Sequence, residues 1–115
     1  MRLLFAPTLL LLALACSQGV DESADPAVER GRVVYLSVCT ACHNANPNLD
    51  GSVGPANAGA SRALLEAKIL RGEYPAGYVP KRDSSVMPRF ANLADSIDDL
   101  AAFLDHAEQN ADATR

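Results

Sequence analysis

Cys39, Thr40, Ala41, Cys42 and His43 form a C-x-x-C-H run in a 115-residue chain that holds 3 cysteines and 2 histidines in all. Two thiols one helical turn apart, followed at once by an imidazole, suit few chemistries. A zinc site wants four ligands, usually supplied as two such pairs; no cysteine follows Cys42, and His106 is the one other histidine. A thioredoxin-like dithiol uses C-x-x-C after a strand, and Val33-Val34-Tyr35-Leu36-Ser37-Val38 offers a strand reading. That chemistry has no use for His43, and too little alternating αβ pattern follows. A plain packing role for two neighbouring cysteines is the weakest reading in an oxidising compartment. Attachment of a c-type haem uses all three side chains: each thiol adds to a vinyl group of one porphyrin, and His43 becomes the proximal ligand.

An oxidising compartment is what the first residues indicate. Met1-Arg2 is a minimal positive region, and Leu3 to Ala15 is apolar apart from Pro7 and Thr8. A membrane helix needs about 20 apolar residues, so residues 1–15 read as a secretory signal with Ala13-Leu14-Ala15 at the cleavage site. The next residue, Cys16, makes the junction resemble a bacterial lipobox, with Ala13 standing where a larger aliphatic residue is usual. The resemblance implies an acylated Cys16 that anchors the chain to a membrane; the alternative is an ordinary exported protein beginning with cysteine. Residues 16–25 read as a flexible tether, residues 26–110 as the folded domain and residues 111–115 as a tail.

The 49% hydrophobic content therefore overstates the core, because the leader holds much of it, and the aromatic content is 5% with no Trp. The net charge of −4 becomes −5 once Arg2 leaves with the leader. A general nucleic-acid binder, which needs a basic face, is excluded.

Helical periodicity places three helices in the mature chain. Asp25-Pro26 is an N-cap followed by proline in the first turn, and Val28, Gly31, Val34, Tyr35 and Val38 recur at spacings of three and four. Residues 44–60 contain four Asn, three Gly and two Pro and read as loop. Ser61 caps a second helix with Leu64, Leu65 and Ile69 on its apolar face and Gly72 as its stop. Residues 73–92 hold three prolines and no sustained period, the composition of a long functional loop. Asp95 or Ser96 caps a last helix whose stripe is Ile97, Leu100, Ala101 and Leu104, with Phe103 beside it and Asp98 and Asp99 in the first turn. Three helices and two long loops bury little by themselves. A bound macrocycle would supply the missing interior.

Met87 is the one methionine left after Met1 departs, and it lies 44 residues beyond His43 in the polar, proline-bounded stretch Asp83-Ser84-Ser85-Val86-Met87-Pro88-Arg89-Phe90. Methionine paired with histidine is a standard haem ligand set. Its alternative use is as core filler.

Over residues 26–108 the sequence resembles the class I cytochromes c. Gly31 and Tyr35 ahead of the motif, Cys39-x-x-Cys42-His43, Gly54-Pro55, Met87-Pro88-x-Phe90 and the closing helix carry the resemblance. It implies an all-α cytochrome c fold, with three main helices and long loops wrapped around one covalently bound haem c. It further implies that Gly31 and Tyr35 pack on Leu100 and Phe103, and that the Pro55 carbonyl accepts a hydrogen bond from His43. The absence of Trp and the presence of Ala56, where a larger residue is common, depart from the family. Tyr74, Tyr78 and Arg82 are the candidates to meet the haem propionates.

With His43 and Met87 on the iron no coordination position is open, which points to electron transfer rather than enzymatic catalysis. The expected role is a mono-haem carrier that passes single electrons between redox proteins on the periplasmic side of a bacterial membrane. The alternatives are a dedicated electron-transfer subunit of a larger oxidoreductase and a haem-based sensor. Residues 62–92 carry +3 against −3 for residues 16–61 and −5 for residues 93–115. Lys81, Arg82 and Arg89 near Met87 suggest a basic collar that steers an acidic redox partner; the bland alternative is solvated surface.

Overall fold

A computed structural model describes residues 25–114, so the expected signal, Cys16 and most of the tether lie outside the described residues. The described chain is all-α. Helix α1, Pro26–Val38, begins where the Asp25 carboxylate accepts the Ala27 N–H and runs into a 3₁₀ turn, Cys39–Ala41. Helix α2, Arg62–Leu65, is capped by the Ser61 hydroxyl, continues as a π-helical stretch, Glu66–Arg71, and stops at Gly72 with φ 72°. Helix α3, Ile97–Gln109, follows directly from a 3₁₀ run, Ala91–Ser96, and a last 3₁₀ turn covers Ala111–Thr114. Val33 to Val38 are helical, and there is no strand among the described residues. No described helix is long and apolar enough to cross a membrane.

One expectation needs correction at the start of α3. Ser96 already has helical backbone angles (φ −101°, ψ −3°) and makes no side-chain capping bond. The chain arrives at Ile97 already coiled by the preceding 3₁₀ run. A capping side chain needs extended backbone before the helix to aim it at the first amides, and neither Asp95 nor Ser96 has it, since both lie within that run.

Helices α1 and α3 cross closely at Gly31, where a Cβ would run into the Asp99 carbonyl oxygen and reach 2.8 Å from Phe103 Cβ. One turn on, the Tyr35 ring lies 5.3 Å from the Phe103 ring, and both belong to a core with Leu65, Ile69, Leu93, Ile97, Leu100 and Leu104. Outside the crossing, Arg30 grips Asp99 with two hydrogen bonds of 2.8 and 2.9 Å. The Arg30 side chain is 61% exposed, so solvent screens the pair and it adds little to stability. Burial at Gly31, Tyr35 and Phe103 holds the helices together.

Gly31→Ala should therefore destabilise the fold. The overpacking cost of about 1–3 kcal/mol exceeds the ~1 kcal/mol gained in helix propensity. Denaturant and thermal unfolding should show a loss of about 1–2 kcal/mol and a midpoint several degrees lower; an unchanged midpoint would mean that the helices do not touch at Gly31.

Candidate functional site

The C-x-x-C-H run begins as the 3₁₀ turn that ends α1. The His43 N–H donates to Cys39 O at 2.9 Å, so the imidazole leaves the chain one turn beyond the first thiol. The loop then folds back beneath the histidine. Val53 and Gly54 donate their N–H groups to Cys42 O at 3.2 and 2.9 Å, and His43 Nδ1 lies 2.9 Å from Pro55 O. A carbonyl can only accept, so Nδ1 carries the proton and donates it, leaving Nε2 with its lone pair. Gly54 is the residue this return requires, because a Cβ there would strike the imidazole ring.

Side-chain hydrogen bonds brace the same loop. Asn46 N–H donates to Asn44 Oδ1 at 2.9 Å and Asn48 N–H to Asn46 Oδ1 at 3.0 Å, two successive Asx turns. Asn48 Nδ2 donates to Ala107 O at 3.0 Å, fastening the loop to the end of α3. Asp50 Oδ1 accepts the Ala56 N–H at 2.7 Å. Sequence reasoning saw a loop here but not these roles for Asn44, Asn46, Asn48 and Asp50; the i, i+2, i+4 spacing of the asparagines was the available signal.

Against this loop lies a cavity of about 570 Å³, within the range of roughly 300–1,000 Å³ typical of cofactor and small-molecule sites. Cys39, Cys42, His43, Pro55 and Met87 all line it, and so do the core side chains Leu65, Ile69, Leu100 and Leu104. Met87 is partly buried, lines the cavity and packs against the core. Among the described residues no three His, Cys, Asp or Glu side chains come together. The Cys39 and Cys42 sulfurs are not joined to each other. Burial pushes the Cys39 thiol up to about 11, the opposite of what a disulfide-exchanging thiolate requires.

Polar side chains gather at the rim. Tyr74 and Tyr78 stack at 5.4 Å, and Lys68 Nζ sits 4.1 Å over the Tyr74 ring. Lys81 Nζ donates to Ala56 O at 2.8 Å and Arg82 to Val53 O at 2.6 Å, tying the segment before Met87 across to the segment under His43. All five line the cavity. Arg89 does not; its side chain lies 3.2 Å from where a Gly72 Cβ would stand. His106 is exposed on α3, outside the cavity lining.

Comparison with known protein families, with curated proteins and with solved structures finds no match to this chain.

The Ala56 N–H, with Arg82 at 3.5 Å and Lys81 beyond it, holds the Asp50 carboxyl below the usual carboxylate range. A depressed folded-state value stabilises the loop at every pH above the unfolded value of about 4, and that contribution is lost as pH falls through the lowered value. Amide-exchange protection at Ala56 and Gly54 should accordingly hold from neutral pH down to about 4 and fall below it. In Asp50→Ala it should be low at every pH, with the acid transition gone. A transition that survives this substitution would belong to another group.

Proposed function

We propose that this chain is a mono-haem c-type cytochrome domain of the class I fold. It would carry single electrons between redox proteins on the periplasmic side of a bacterial membrane, tethered through an acylated Cys16. The observation that supports this reading is the convergence of Cys39, Cys42, His43 and Met87 on one cavity with apolar core walls.

The residues present fit the group. Cys39 and Cys42 would hold haem c as thioethers, and His43 and Met87 would hold its iron from side chains. When bound, the group supplies a one-electron ferric/ferrous couple whose potential a Met/His pair raises. The Pro55 carbonyl retains the proton on Nδ1, commits Nε2 to the metal and fixes the plane of the ring, which also raises ligand basicity. Leu65, Ile69, Leu100 and Leu104 exclude water from one wall of the site. Tyr74, Tyr78 and Arg82 stand among the polar rim residues suited to meet its carboxylates. With His43 and Met87 both holding the iron, no position would be left for a substrate, which supports a carrier over an enzyme.

The same rim supports an acidic redox partner. Lys81 and Arg82 give hydrogen bonds to backbone carbonyls, which neutralise no charge, and Lys81 remains exposed beside the exposed Val53 and Val86. The proposed docking surface comprises Lys81, Arg82 and Arg89, the first two in the cavity lining and Arg89 against Gly72.

Expression with export in a haem-maturing host should give one haem per chain that survives acid extraction. The iron should be low-spin in both oxidation states, and the oxidised spectrum should carry a sulfur-to-iron charge-transfer band at the red end. Cys39→Ala/Cys42→Ala should abolish attachment and leave a chain without a cooperative melt. Met87→Ala should give high-spin iron that binds CO. A haem-free wild type that melts cooperatively would overturn the reading.

Reduction by an acidic partner should slow with ionic strength, and about tenfold or more in Lys81→Glu/Arg82→Glu. Rates indifferent to both would remove the basic docking surface while leaving the electron-carrier reading intact.

A further inference from the structure

The phenol of Tyr35 is 1% exposed, and packing on Phe103 needs only its ring. A hydroxyl buried there without a partner would cost more than a phenylalanine. Both of its partners belong to the loop under His43. The hydroxyl donates to Asn44 O at 2.7 Å and shares its hydrogen with Asn57 Oδ1 at 3.2 Å. Asn44 directly follows His43, whose ring donates to Pro55 O, and Asn57 is the second residue after Pro55. One oxygen on α1 thus grips the chain next to each end of the His43–Pro55 hydrogen bond. The Asn57 N–H in turn donates to Pro47 O at 2.9 Å, closing the loop upon itself.

We propose that Tyr35 is a positioning residue whose hydroxyl clamps Asn44 and Asn57, and through them sets the length of the His43 Nδ1–H···O Pro55 hydrogen bond. This rests on the reading of His43 as an iron ligand. The stronger that hydrogen bond, the more basic the imidazole and the better it stabilises ferric iron. Freeing the two loop ends lets the bond lengthen and shifts the couple toward ferrous. The buried phenol is well placed for the task because burial pushes its titration up to about 12, so it stays a neutral donor throughout the physiological range.

The test compares haem-loaded wild type with Tyr35→Phe, which keeps the ring and removes the oxygen. Asn57→Ala removes one partner while leaving Tyr35 in place, and Phe103→Leu serves as a control that disturbs the same packing without touching the hydroxyl. Solvent exchange of the His43 Nδ1 proton should speed several-fold in Tyr35→Phe and Asn57→Ala. The ferrous-to-ferric ratio at fixed applied potential should rise about threefold, roughly 30 mV at 59 mV per tenfold for one electron. The double variant should shift little beyond the single ones, because both act on one hydroxyl. Phe103→Leu should lower stability and leave both readouts alone. If Tyr35→Phe leaves exchange and potential unchanged, or if Phe103→Leu moves them equally, the clamp is overturned and the cytochrome reading stands. A wild type that binds no haem overturns both.

Discussion

Gly31 lets the backbone of α1 come against the Asp99 carbonyl of α3, and the position of that crossing determines what the two helices can carry. A larger residue would separate the axes, and the Tyr35 ring one turn further along would lose its contact with Phe103. Tyr35 in turn holds Asn44, the residue after His43, and Asn57, two residues after Pro55. The end of α3 takes the Asn48 amide at Ala107 and the Gly59 N–H at Leu104 O, 2.8 Å away. The loop beneath the histidine is therefore suspended from both helices of the crossing. The loop that carries the imidazole thus hangs from the pair of helices that Gly31 allows to cross.

The core that results is small, eight side chains in one cluster, with a large apolar-walled cavity against it. Protein interiors pack to nearly crystalline density and leave few voids larger than a water molecule. Walls such as Leu65, Ile69, Leu100 and Leu104 gain full value only when something apolar lies against them. Under the proposed function the macrocycle is that surface, which accounts for how a chain with so few aromatic residues can form a domain. It also explains why stability and cofactor loading would be inseparable.

What the sequence revealed and what it concealed divide by physical range. Asp25, Ser61 and Gly72 were legible because a cap is a bond between near neighbours, and the gathering of Cys39, Cys42 and His43 at one place because the run is contiguous. The π-helical stretch Glu66–Arg71 was not, since apolar residues at spacings of three and four do not distinguish the two windings over six residues. The start of α3 misled because a good capping side chain says nothing about whether the backbone before it is already coiled. The Asn44, Asn46, Asn48 series looked like undirected loop because its anchor, Ala107, is 59 residues from Asn48. Arg89 was grouped with Lys81 and Arg82 by nearness in sequence, yet it lies against Gly72 while they reach across the cavity rim.

That separation bears on where the field of the domain is concentrated. Arg62 is paired with Glu66 and Asp98, and Arg71 with Glu66 and Glu73, so the basic charges on the second helix are largely neutralised where they stand. Lys68 rests on an aromatic ring, Lys81 on a backbone carbonyl, and Arg82 on a carbonyl with one carboxylate 3.5 Å away. Neutral partners orient a cation without cancelling it. Lys68, Lys81 and Arg82 therefore bring positive charge to the cavity, partly offset by Asp50 beside Arg82 and by Glu108 in the lining, while the −5 of residues 93–115 lies mainly along α3. Under the proposed function these cations would face an incoming acidic partner, and the contacts of Lys81 and Arg82 also strap the Met87 segment to the His43 loop.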